Sequence, residues 1–153
     1  MELYLLRHAD AEEFAPAHGG DSERALTTKG KHQARGVADG LRSLEISFDV
    51  IFFSPFVRAR QTAEIVAELL KLHDKVEMTQ ELVPGGDGKA LISEIKIRRA
   101  DSVLLVGHEP CLSRLISMLL SGRPDLSIKM KKAAVCKLEI EAPRFGEIGR
   151  AHV

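Results

Sequence analysis

A chain of 153 residues, 44% hydrophobic and 29% charged, is long enough to bury a core and has the balance of a folded globular protein rather than a disordered one. Its 22 Lys and Arg offset 22 Asp and Glu, which gives no electrostatic reason to expect nucleic acid or an anionic membrane as partner; any basic site must be local. Cys111 and Cys136 are too few for a disulfide framework. The opening Met1-Glu2-Leu3-Tyr4-Leu5-Leu6-Arg7-His8 is too short and too soon charged for a secretion signal, and no run approaches the roughly 20 apolar residues of a membrane span; a cytoplasmic protein with reduced thiols is expected.

Residues 3–6 form the first short apolar run, with none of the polar alternation of a strand that has one wet face. Residues 10–25 follow as a long polar loop, a length that in compact domains goes with function or mobility. From 28 to 44, Ala34, Val37, Ala38 and Leu41 fall on one helical stripe, with Thr27 or Thr28 as N-cap and with Gly36 and Gly40 weakening the helix. Residues 49–53 are a second strand. Ser54 and Pro55 then signal a helix start, a capping hydroxyl followed by proline in the first turn, and a stripe from Ala59 to Leu70 continues it. A second loop spans 83–88, then a helix over 89–99 capped by Asp87, a third apolar strand over 102–106, and a helix over 110–120 that ends at Ser121-Gly122. A strand at 134–140 and a short edge strand within 147–152 complete the reading. Apolar strands alternating with helices predict an α/β fold, a three-layer sandwich with a mostly parallel central sheet flanked by helices. With no repeat and no linker, residues 1–153 read as one domain.

Each of the three apolar runs leads into chemistry. The first ends in Arg7-His8, the second in Ser54-Pro55 with Arg58 one turn into the next helix, and the third in Gly107-His108. Ligands of open parallel sheets bind outside the carboxyl ends of the strands, and right-handed crossovers bring these three ends to one edge. Two arginines and two histidines then converge on a neutral protein. Two guanidinium forks grip a phosphoryl group through charge-assisted hydrogen bonds, and a helix start adds free amides. A neutral imidazole in such a place is a nucleophile toward phosphorus that needs no metal.

These residues also carry a resemblance. Leu5-Leu6-Arg7-His8-Ala9, Arg24-Ala25-Leu26-Thr27-Thr28-Lys29-Gly30, Ser54-Pro55-Phe56-Val57-Arg58-Ala59-Arg60-Gln61-Thr62-Ala63 and Val106-Gly107-His108-Glu109-Pro110 resemble, in that order, the histidine phosphatase superfamily, which is phosphoglycerate mutase-like in fold. The absence of a large cap insertion between Leu72 and Ser102, and the Leu82-Val83-Pro84-Gly85-Gly86 loop, resemble its SixA-type phosphohistidine phosphatases. The resemblance implies that His8 is the phosphorylated nucleophile, that Arg7 and Arg58 bind the phosphoryl oxygens, and that His108 donates to the same oxygens. Ala9 departs from the frequent glycine but carries no reactive group. Ser54 and Arg24 are further candidates for substrate contact; Ser54 has a cap as its alternative role, and Arg24 an ion pair.

A general acid is less defined. Glu81, Asp87 and Asp10 are open candidates, and a phosphohistidine substrate asks least of them, because imidazole leaves more readily than an alkoxide. The expected substrate is therefore phosphohistidine on a protein such as a phosphotransfer domain, with inorganic phosphate as product. A small phosphorylated metabolite is the alternative, and a non-catalytic phosphate-binding module is a third reading. A pocket roofed by the 10–25 loop would argue against a protein substrate. No cofactor is expected, and no metal: no histidine pair has the i, i+4 spacing of a helical zinc site, and two arginines repel a divalent cation. Cysteine-based phosphatase chemistry is excluded because Ser117 stands at the sixth position after Cys111, where an arginine is needed. Neither a P-loop nor a dinucleotide-binding glycine pattern follows any strand.

Overall fold

A computed structural model describes residues 1–141 and 150–152. Six strands form one sheet: β1 (Glu2–Arg7), β2 (Val50–Phe53), β3 (Val76–Met78), β4 (Ser102–Gly107), β5 (Val135–Glu139) and β6 (Arg150–His152), in the order β3-β2-β4-β1-β5-β6. β3, β2, β4 and β1 run parallel, and β5 pairs antiparallel with β1 and β6. Among the described residues four helices cover it: α1 (Thr28–Ser43), α2 (Val57–Leu70), α3 (Gly88–Arg98) and α4 (Cys111–Ser121).

The apolar runs are continuous because the central strands are buried on both faces. Leu3 and Leu5 of β1, with Val103 and Leu105 of β4, pack against Leu91, Ile95, Leu112 and Ile116 from α3 and α4. Tyr4, Leu6, Leu104 and Val106 point the other way and meet Ala38, Leu41, Ala59, Ala63 and Val66 from α1 and α2. The period of two sorts each strand between two cores, and three layers follow. This is the α/β sandwich that the sequence predicts.

Helix boundaries follow their caps. The Thr27 hydroxyl accepts from Gly30 N at 3.0 Å at the start of α1, and the Asp87 carboxylate accepts from Lys89 N at 2.8 Å at the start of α3. Gly122, at φ 73°, closes α4. One expected cap is corrected: α2 begins at Val57 behind Phe56, which has no side-chain cap, and Ser54 lies three residues ahead of the helix with its hydroxyl turned to His108. The edge strand β3 is absent from the sequence reading. Of the expected edge strand, Arg150–His152 is present as β6, and 147–149 lie outside the described residues.

The sheet register positions the site. Arg7 pairs with Gly107 and Phe53 with Val106, so three parallel strands end in line. The ladder continues one residue further, with His8 N donating to Gly107 O at 3.0 Å and Ser54 N donating to Val106 O at 3.1 Å. Residues 10–25 then leave the sheet edge and are pinned back to α1, where a Cβ on Gly30 would lie 1.9 Å from Asp10 O. Only glycine permits that approach.

Candidate active site

His8 sits at the end of β1 and is 6% exposed. Its Nδ1 lies 2.8 Å from Ala9 O, an acceptor only, so Nδ1 carries the ring proton and Nε2 keeps its lone pair. Arg58 donates its Nε–H to that Nε2 at 3.3 Å. Ala9 is held in turn: its N–H donates to the Thr62 hydroxyl at 3.2 Å, and that hydroxyl donates to Arg58 O at 2.7 Å. Helix α2 therefore fixes both the arginine and the carbonyl that sets the tautomer of His8.

His108 follows β4, with its ring centroid 5.1 Å from that of His8. Its Nε2 lies 2.8 Å from the Ser54 hydroxyl. The Phe56 ring packs edge-on against it at 5.1 Å and also lies 5.1 Å from the Arg58 guanidinium carbon. Arg7 anchors one end of its fork on Met130 O at 2.8 Å. Arg7 Nε and His108 Nδ1 are buried and lack a hydrogen-bond partner among the described residues. An unmade buried hydrogen bond costs about 1–3 kcal/mol, so a site carrying two of them is built to receive an acceptor.

Burial dominates the electrostatics. It pulls His8 from its ordinary 6.5 to about 4, with Arg58, Arg7 and Lys132 adding to the effect against the opposing hydrogen bond to Ala9. His108 falls to about 3 through burial, then through Arg58 and the neighbouring His8. Both imidazoles are neutral at pH 7. The arrangement holds one nucleophilic nitrogen and guanidinium and imidazole donors in one place, the equipment for taking an oxyanion group onto nitrogen.

The structure brings Arg7, His8, Arg58 and His108 together as expected. It places the other candidates differently. Ser54 is fully buried behind His108 and reaches the pocket only through that ring. Arg24 donates Nε–H to Asp21 Oδ1 at 2.8 Å and a second N–H to Glu12 O at 2.9 Å, which is the ion-pair alternative. Glu81 accepts from Asp87 N at 2.9 Å while Asp87 caps α3, so both carboxylates are engaged inside their own loop. Asp10 is bound to Thr27 and Lys132.

Asp21 is the residue that sequence reasoning missed. A short 3-10 turn, Asp21–Glu23, lays its carbonyl 2.8 Å and its carboxylate 3.0 Å from the outer nitrogens of Arg58. Burial raises the Asp21 carboxyl, but the hydrogen bonds from Arg24 and Arg58 outweigh it and hold the group below the ordinary carboxylate range. Its side chain is 60% exposed while that of Arg58 beneath it is 5% exposed, so the 10–25 loop lies over Arg58 and faces solvent itself.

Comparison with known proteins agrees with this geometry. The profile of the histidine phosphatase superfamily (branch 1) matches residues 3–83. Phosphohistidine phosphatase SixA of Escherichia coli (strain K12) is 34% identical over 125 residues, covering 80% of this chain and 76% of that protein. An uncharacterized protein of Picosynechococcus sp. is 35% identical over 148 residues, covering 95% of this chain and 88% of its own length. Among solved structures, the protein histidine phosphatase SixA complexed with tungstate superposes with a TM-score of 0.87 at 28% identity, covering 100% of this chain and 95% of that one.

Proposed function

This chain belongs to the histidine phosphatase superfamily, and from that membership we propose that it removes the phosphoryl group from phosphohistidine on a partner protein, through a phosphohistidine formed on its own His8. The observation that carries the proposal is the state of His8: with its proton fixed on Nδ1 by Ala9 O, Nε2 presents a lone pair beside Arg58 Nε.

The reaction has two displacements. In the first, His8 Nε2 attacks phosphorus and the P–N bond of the substrate breaks, its electron pair going to the departing nitrogen; the substrate ring, protonated on its other nitrogen, leaves as neutral imidazole. The phosphoryl oxygens accept from Arg7 Nε and His108 Nδ1, which have no other partner among the described residues, and from Arg58 Nε, whose N–H passes from His8 Nε2 to the phosphoryl group as that lone pair attacks. In the second, water attacks the phosphoryl on His8 Nε2, the new P–N bond breaks, phosphate departs and the water's proton is lost to solvent. The guanidinium and imidazole donors supply, on this reading, the stabilisation of phosphoryl charge that a metal supplies elsewhere.

Substrate class follows from the leaving group. An alkoxide requires a proton donor, and Glu81 and Asp87 are both committed within their loop. An imidazole leaves without one. The relative SixA, named as a phosphohistidine phosphatase, supports the same substrate class.

The test is turnover by purified protein of a phosphohistidine-bearing phosphotransfer domain and of a panel of small phosphoesters, each repeated with His8→Ala. Turnover mainly of the phosphohistidine, lost in the variant, is expected. Preference for an alkyl phosphate keeps the chemistry and moves the function to a metabolite phosphatase. Binding of tungstate or phosphate with no turnover of any substrate sinks the catalytic reading and leaves a binding module.

A further inference from the structure

We propose that Ser54 is a positioning residue that fixes His108 as its neutral Nδ1–H tautomer, so that the transferred phosphoryl group meets a hydrogen-bond donor at that nitrogen. The inference rests on the reading of this site as a phosphoryl pocket and concerns how that pocket is set.

Hydrogen-bond accounting decides the tautomer. Ser54 is 0% exposed, and its Oγ has two partners among the described residues. One is the Phe56 amide, which can only donate, at 3.3 Å. The hydroxyl proton therefore has one acceptor within reach, Nε2 of His108 at 2.8 Å. A nitrogen that accepts carries no proton, so the ring proton of neutral His108 lies on Nδ1. The opposite tautomer would spend Nε2–H on Ser54 and leave a buried hydroxyl proton without an acceptor, which is costly. It would also turn a lone pair toward the phosphoryl oxygens, a repulsive contact.

The ring has little freedom to choose otherwise. His108 O accepts from Leu112 N at 3.0 Å, which holds its backbone at the start of α4. Phe56 packs edge-on against the imidazole. Ser54 is itself delivered by the sheet, through Ser54 N donating to Val106 O at 3.1 Å. His8 and His108 are thus set by different devices to the same end. A backbone carbonyl makes Nε2 of His8 the nucleophile, and a side-chain hydroxyl makes Nδ1 of His108 a donor. A free neutral histidine favours the Nε2–H form, so each ring needs its partner to be held in the other one.

The experiment reads the tautomer and the phosphate affinity separately from turnover. Protein labelled with 15N-histidine, with His108 assigned by loss of its signals in His108→Asn, is examined by long-range proton–nitrogen correlation at neutral pH. In the wild type, a protonated-type Nδ1 and a bare Nε2 are expected at His108. In Ser54→Ala the two forms should mix, and the affinity for inorganic phosphate should fall about 10-fold, the scale of one hydrogen bond to a charged acceptor. Ser54→Thr, which keeps a hydroxyl, should restore the Nδ1–H signature. A wild-type protein with its proton on Nε2 of His108 overturns the proposal whatever the variants do. So does a folded Ser54→Ala protein with unchanged tautomer and unchanged phosphate affinity. Because neither readout needs turnover, a protein that bound phosphate and hydrolysed nothing would sink the proposed activity and leave this inference standing.

Discussion

Two regions build the pocket, and they are held by different means. The strand-end half, Arg7, His8, Ser54 and His108, hangs from the central sheet, where each backbone is a continuation of the β1–β4–β2 ladder. The loop half, residues 10–25, reaches the same place through side chains: Asp21 onto Arg58 from 37 positions away, and Arg24 back onto Asp21. In the first half His8, Ser54 and His108 are buried, and Arg7 Nε and His108 Nδ1 lack partners among the described residues; in the second, Asp21 is 60% exposed and its carboxylate is paired with both Arg24 and Arg58. Rigid sheet geometry can hold unpaired donors against their desolvation cost, and a loop cannot. Chemistry therefore belongs to the sheet, and access and orientation to the loop.

The largest effect expected from this division is at Arg58, which both halves touch. Arg58→Ala should lower kcat by about 10³-fold, the scale on which an arginine stabilises a transferring phosphoryl group, without unfolding the protein. A loss of only a few-fold, in steady-state kinetics on the wild-type substrate, would move the main phosphoryl contact to Arg7.

The strand-end half should also set the acid sensitivity of the fold. His8 and His108 have native values of about 4 and about 3 against an ordinary 6.5. The unfolded chain binds more protons than the native one below 6.5, so stability is complete above that pH and falls as pH drops toward about 4. With about 1.4 kcal/mol per pH unit for each ring, the pair should cost about 4 kcal/mol by pH 5, measured by urea unfolding in the absence of phosphate. His108→Asn should roughly halve the slope. A slope unaffected by that substitution would place the protonation elsewhere.

Gly30→Ala attacks the seam between the loop half and α1. Its Cβ would fall 1.9 Å from the Asp10 carbonyl, and backbone cannot yield as a flexible side chain can. A loss of about 3 kcal/mol is expected in thermal or urea unfolding, at the upper end for overpacking. A neutral result would show that the loop moves freely away from α1.

What the sequence discloses follows the same division. Arg7, His8 and His108 are legible because uninterrupted apolar runs identify buried parallel strands, and topology then dictates where their ends meet. Arg58 is legible as one helical turn past a strand end. Strand β3 is not: three residues at a sheet edge, Glu77 between Val76 and the half-exposed Met78, give no periodicity to read. Ser54 misleads because a serine before a proline signals a helix cap as strongly as it signals a buried donor, and only the position of His108 distinguishes them. Asp21 could not be singled out among the acids of its loop, since its role depends on a tertiary contact and not on local pattern. Thr62 has the same difficulty; it sits on the apolar stripe of α2, where a buried threonine looks like core.

Within the loop half, Asp21→Asn separates aiming from binding. The carbonyl contact to Arg58 remains, while the charge on its outer nitrogen is lost. Removing a negative charge from the rim should lower KM for an anionic substrate. A less firmly held Arg58 should lower kcat, each by no more than about 10-fold, the worth of one charged hydrogen bond. An unchanged kcat would mean that packing on Phe56 alone aims the guanidinium.

Arg24→Ala should do least, and that makes it decisive for the role of this residue. Its contacts are an exposed ion pair with Asp21 and a hydrogen bond to Glu12 O, both within the loop. Surface pairs of this kind contribute about 0.2–1 kcal/mol, so thermal unfolding should shift only slightly. If Arg24 only fastens the loop, KM and kcat for small phosphoesters and for a phosphohistidine protein should change together and little. If Arg24 instead grips the substrate, as its sequence position also allows, KM for the protein substrate alone should rise while stability stays within the same bound. Unequal shifts in the two KM values would therefore transfer one positive charge from the scaffold to the binding surface, and the loop would cease to be a region of orientation only.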